Sequence, residues 1–162
     1  MLGLGEDRLS IYLNDHLAGA TAVANLARRA AGSNRSTGYG EVLDALAEEI
    51  EDDRRTLLAV MERLSVGQDR VKVVLGWGAE QAGRLKLNGE LIGYSPLSRL
   101  EELEALSLGV EGKLALWSTL RRTLGSDPRL RDVDFDQLVA RARSQRRRLE
   151  RQRARAATEA LG

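Results

Sequence analysis

One histidine and one crowded run of carboxylates are the features of this 162-residue chain that most invite metal or acid–base chemistry. The histidine is His16. The run is EEIEDDRR over residues 48–55, with five carboxylates and two arginines around Ile50. Imidazole and carboxylates together suit iron, manganese or zinc. The same run also suits a solvated helix face, so the direction each residue points decides its meaning. Leu43, Leu46, Ile50, Asp53, Leu57, Val60 and Leu64 recur at steps of three and four, which marks one inward stripe of a helix. Asp53 lies on that stripe and Glu49 flanks it. Glu48, Glu51, Asp52 and Arg55 point away and read as solvated. A carboxylate on a core stripe must be paired or coordinated. Asp53 and His16, itself on an inward stripe, are therefore expected to form either a buried hydrogen-bonded pair that fixes register or part of a metal site.

Other chemistries find less support. Cysteine is absent, which excludes disulfides, thiolate ligands and thiol nucleophiles. The glycine-rich stretch GSNRSTGYG, 32–40, lacks the GK[ST] ending of a phosphate loop and reads as a turn. Asn88, Tyr94, Ser95 and Arg99 make a polar patch, but no base is in evidence to activate Ser95, which has a sufficient role as a helix cap. Trp77 and Trp117 are expected in the core of a chain with only 4% aromatic residues.

The elements that must position these residues are helices. Leu, Ala, Arg and Glu dominate, and two prolines leave long helices uninterrupted. Helix one is expected over Ser10–Ala31, with Leu9, Leu13, His16, Ala20, Val23 and Ala27 inward. Helix two is expected over Glu41–Leu64, followed by the short turn SVGQD. Residues 71–93 admit two readings. Valines in VKVVLGWG and the Asn88-Gly89 pair suggest strands and a hairpin, whereas AEQAGRLKL continues as a third helix capped by Asn88-Gly89; the helical reading is preferred. A fourth helix starts at Ser95-Pro96, cap and first turn, and runs towards Gly125. A fifth spans Phe135–Leu161. The expected architecture is all-α: an antiparallel up-down four-helix bundle over 1–125, a linker over 126–134, and an additional arginine-rich helix over 135–162, whose narrow and partly polar seam should pack weakly or on a partner.

Short turns fix which residues share a level in such a bundle. His16 then falls within a turn of Asp53, Asp53 faces Glu80, and Glu80 faces Glu104. One polar side chain per helix at one level resembles the ferritin-like carboxylate bundles. Glu49-Ile50-Glu51-Asp52 and Glu101-Glu102-Leu103-Glu104 occupy places comparable to that family's Glu-x-x-His segments, although neither carries histidine. The resemblance spans about residues 10–124 and implies an iron or manganese site made by His16, Asp53, Glu80 and Glu104. The arginine-rich, lysine-poor composition is also similar to that of uncharacterised actinobacterial helical proteins, a likeness that implies no activity.

Charge is segregated. Residues 1–66 carry net −4, residues 67–133 net +1, and residues 134–162 net +4. The last helix holds Arg141, Arg143, Arg146, Arg147, Arg148, Arg151, Arg153 and Arg155. These circle the helix with no aromatics between them, so nucleic acid is the weaker reading. Docking of Arg143, Arg147 and Arg151 on an acidic surface, such as the outer face of helix two in the same or another subunit, is the stronger one. The leading expectation is a non-enzymatic, cytoplasmic interaction module that forms a homodimer. No signal peptide or membrane span is read.

Overall fold

The computed structural model describes residues 4–69 and 93–162. Four α-helices account for most of them: α1 (Leu4–Ser33), α2 (Gly40–Arg63), α3 (Pro96–Leu124) and α4 (Phe135–Leu161), with a short 3₁₀ turn at Pro128–Leu130. The expected third helix, with Glu80, Trp77 and the Asn88-Gly89 pair, lies outside the described residues.

Local signals explain the helix ends. The Ser95 side chain accepts from the Ser98 N–H and Ser98 answers the Ser95 N–H, a reciprocal cap, with Pro96 in the first turn. Asp134 caps α4 by accepting from the Gln137 N–H. Gly109 and Gly112 do not break α3, and Gly109 has a packing role. A Cβ there would lie 2.2 Å from Val23 Cγ2, so α1 and α3 cross closely at this point.

Among the described residues the last helix is a packed member of the bundle, set along α3 and bridged by side chains to α2. Phe135, Leu138, Val139, Ala142, Gln145, Leu149 and Ala156 are buried. Its arginines had masked a continuous apolar face. The connection before it also packs, with Leu130 in the core.

Cross-helix contacts give the directions. Asn34, just past the end of α1, and Arg29 within it meet Arg99 and Glu102 of α3, and Val23 meets Gly109, so α1 and α3 are antiparallel. Gly38 meets Arg155, Glu49 meets Arg148, and Asp53 meets Arg141, so α2 and α4 are antiparallel. The hairpins α1–α2 and α3–α4 complete a square of antiparallel neighbours. Diagonal α2 and α3 then run the same way, and Leu64 and Pro96 lie at opposite ends of the bundle. The expected antiparallel neighbour that follows helix two lies outside the described residues, and α3, the expected fourth helix, runs parallel to α2 as an up-down path requires.

The apolar interior forms two clusters. One holds Val23, Ala27, Leu43, Ile50, Leu106 and Val110. The other holds Leu17, Leu57, Leu114, Trp117, Phe135 and Val139. Asp53, Lys113 and Gln145 fall between them along their helices, at the waist of the bundle.

Candidate functional site

The waist begins with Asp53, which α2's stripe drives inward at 2% exposure. Three groups meet it. Lys113 Nζ of α3 donates to Oδ2 at 2.5 Å, Arg141 of α4 donates to Oδ1, and Gln145 Nε2 donates to Oδ2 at 3.1 Å. The same Gln145 Nε2 donates to Glu49 Oε2 at 3.0 Å, and Arg148 also donates to Glu49. Two carboxylates and three cations thus join three helices through one amide. Burial pushes the Lys113 ammonium below its ordinary range, and the Asp53 charge resists that shift. Burial opposes ionisation of Glu49, but Arg148 and Gln145 outweigh it and hold the carboxyl below its ordinary range. The layer is not fully satisfied. Arg141 Nε, Gln145 Oε1 and Arg148 Nε are buried without a hydrogen-bond partner among the described residues.

His16 and Glu104, two of the residues expected around Asp53, are not among its partners. His16 is half-buried one helix away, edge-on to Tyr12 with ring centres 4.5 Å apart. Burial lowers its basicity, against a small opposing effect of Asp15. Glu104 is an exposed residue of α3, 3.9 Å from Arg153. Glu80 lies outside the described residues. Among the described residues, no three His, Asp or Glu side chains converge as metal ligands would. The inner polar level exists, but it is a carboxylate met by cations.

A second polar cluster closes the end of the bundle where α1 finishes and α3 begins. Asn34 is fully buried and donates to the Ala30 carbonyl at 2.8 Å and to Tyr94 Oη at 2.6 Å. Arg99 Nε donates to Asn34 Oδ1 at 2.6 Å. Tyr94 Oη donates to Glu102 Oε2 at 2.9 Å, and Arg29 approaches the other carboxylate oxygen at 3.6 Å. The Tyr39 ring lies between two guanidinium groups, Arg99 at 4.6 Å and Arg155 at 4.3 Å. Burial pushes the Glu102 carboxyl above its ordinary range, although Tyr94 and Arg29 pull it down. Burial also pushes the Tyr94 phenol up to about 12. Tyr94 and Arg99 were visible in the sequence as a polar patch. Glu102 was not, because it sits one position off the apolar stripe of α3.

On the outside, the arginines of α4 divide into two sets. Arg141, Arg146, Arg148, Arg153 and Arg155 pair with Asp53, Glu111, Glu49, Glu150 and Glu159. Arg143, Arg147 and Arg151 are exposed. None of these three has an ion partner among the described residues. They stand at successive steps of four, one row on the outer side of the helix. Asp44, Glu48 and Asp52 repeat the same spacing on the outer side of α2, and all three are exposed. Asp52 has a loose contact with Arg55 at 3.5 Å.

No helix among the described residues is long and apolar enough to cross a membrane. Comparison with family models, with curated proteins and with solved structures finds no match to this chain.

Proposed function

We propose that this chain is a non-enzymatic helical-bundle module that works through protein contacts made by its charged outer faces. One observation carries this reading. Five of the eight α4 arginines are paired within the molecule, while Arg143, Arg147 and Arg151 form an outward row with no ion partner among the described residues. Like charges at steps of four weaken an isolated helix, so the row costs stability until an anionic surface meets it. A protein fits better than nucleic acid. The neighbouring helix presents an acidic row that would repel a phosphate backbone, and the net charge of the chain is only +1.

The test compares the wild type with Arg143→Glu/Arg147→Glu/Arg151→Glu by formaldehyde cross-linking in the native host. Protein adducts that the triple variant loses support the reading. An equal adduct pattern, or a shift of duplex DNA or RNA by the purified chain at low salt, would overturn it in favour of another surface or of nucleic acid.

The two antiparallel hairpins, α1–α2 and α3–α4, with Leu64 and Pro96 at opposite ends of the bundle, also support a ferritin-like topology. We read the likeness as one of path and not of ligands. Elemental analysis of protein grown with iron, manganese and zinc should find well under one ion per chain. Stoichiometric metal lost in His16→Ala or Asp53→Ala would restore the metal reading.

A further inference from the structure

The acidic row of α2 and the basic row of α4 cannot satisfy each other within one molecule. At 100° per residue, each row lies on the side of its helix opposite the buried face, and all six residues are exposed. Within one chain, however, the rows stand at matching heights. The bonds Asp53–Arg141 and Glu49–Gln145 set the antiparallel register of α2 against α4. In that register Asp52, Glu48 and Asp44 stand level with Arg143, Arg147 and Arg151, to within about one residue, or 1.5 Å.

We propose that a second copy of this chain docks on the α2–α4 face about a two-fold axis parallel to the helices, so that each copy's Arg143, Arg147 and Arg151 meet the other's Asp52, Glu48 and Asp44. This rests on the reading of the chain as a protein-contact module and names its partner. A rotation axis along the bundle leaves heights unchanged. The match within one chain therefore becomes a match between chains, and it occurs twice, once for each pair of rows. A two-fold lying across the helices would instead stack α2 on α2 and set carboxylate against carboxylate. The charge pattern selects one axis and rejects the other.

The residues between the charges agree with this arrangement. Arg55, a cation beside the acidic row on the outer face of α2, stands level with exposed Ala140. Glu150 of α4 stands level with exposed Ala45. Small residues thus occupy the places where like charges would otherwise meet. A contact of this kind is built from exposed ion pairs, so it should weaken as salt shortens the screening length.

The test is sedimentation equilibrium of the full chain, with helix content checked by circular dichroism for every variant. Wild type should be dimeric at about 0.05 M salt and dissociate towards about 1 M. Arg147→Glu and Glu48→Arg alone should each raise the dimer dissociation constant at least about tenfold. An equimolar mixture of the two variants should dimerise again, because every pair across a mixed dimer is then opposite in sign. Both changes in one chain should also restore the dimer. Wild type that stays monomeric at every concentration would overturn the proposal, as would single variants that remain dimeric, a mixture that stays monomeric, or a dimer that nuclease abolishes. Monomeric wild type combined with protein adducts lost from the arginine variant in cells would sink the self-pairing alone and leave the contact-module reading standing.

Discussion

Asp53 and Glu102 are both almost fully buried carboxylates on helices of the same bundle, and the fold treats them in opposite ways. Asp53, 2% exposed, receives one cation from α3, one from α4 and an amide hydrogen bond. Glu102, 5% exposed, receives a phenol at 2.9 Å and a single guanidinium at 3.6 Å whose own side chain is half in solvent. The waist holds its carboxylate with full charges, and the end cluster pushes its carboxyl towards the protonated form. Burial alone therefore does not settle the surroundings of an acid. What settles them is whether neighbouring helices bring charge or only dipoles to the same height.

The sharpest way to break this comparison is to neutralise Asp53. Asp53→Asn keeps the volume but strands Lys113 and Arg141 near each other with no compensating charge. The expected cost is about 3–5 kcal/mol, read as a fall in urea midpoint at unchanged slope. A loss under about 1 kcal/mol would mean that the waist is open enough to water for its charges to be individually replaceable.

Removing one cation should cost less. Lys113→Met leaves Asp53 with Arg141 and Gln145, and the expected loss is about 1.5–3 kcal/mol at pH 7. The pH profile gives a second reading. Lys113 is a base held below its ordinary value of 10.5, so the folded protein binds fewer protons there than the unfolded chain. Stability from this group therefore rises with pH between its folded value and 10.5, and Lys113→Met should abolish that rise. Persistence of the slope in the variant would assign it to another group.

Much of this architecture was legible from the chain, and the limits have physical causes. Every residue of the expected α2 stripe is buried, Asp53 included, because a strict alternation over 22 residues admits only one inward face. Residues 135–161 read correctly as one helix, but a seam interrupted by glutamines and ringed by arginines concealed a core member. The phase of α1 was misjudged at His16. That helix is so rich in alanine that several faces look apolar, and the buried face runs through Leu13, Leu17, Ala24 and Ala27. The partners of Asp53 lie 60 and 88 residues away, beyond any local pattern. One signal did exist. Lys113 is the sole lysine after Lys86, amid many arginines, beside the apolar positions Val110 and Leu114. The loop-centre register displaced the rest, since it set Asp53 level with Glu104, whereas Lys113, more than two turns further along α3, is the residue that meets it.

The end cluster gives smaller effects. Tyr94→Phe removes a hydroxyl that accepts from buried Asn34 and donates to Glu102. It should cost about 1–2 kcal/mol, since the Asn34 amide loses a partner it cannot replace. It should also drive the Glu102 carboxyl further up, because the phenol hydrogen bond favours the ionised acid. Carbon-detected titration of Glu102 in both proteins reads this directly, and an unchanged or lowered value in Tyr94→Phe would show that the hydrogen bond does not act on Glu102.

The smallest expected change is the most diagnostic of the contrast with Asp53. Glu102→Gln keeps the shape and an acceptor for Tyr94, and it mimics the protonated acid that burial already favours. At pH 7 it should leave stability unchanged or raise it by up to about 1 kcal/mol, although the same kind of substitution at Asp53 is severe. The sign with pH follows from linkage. The folded protein holds the Glu102 proton more tightly than the unfolded chain, whose value is near 4.5. Between 4.5 and the folded value the folded state binds more protons, so this group adds stability as pH falls and loses it as pH rises. Glu49 and Glu51 are held low and act in the opposite direction at more acidic pH. The difference in unfolding free energy between wild type and Glu102→Gln cancels those contributions. It should decline as pH rises through the window above 4.5 and then level off. A difference that rises with pH there would mean that Glu102 is held ionised.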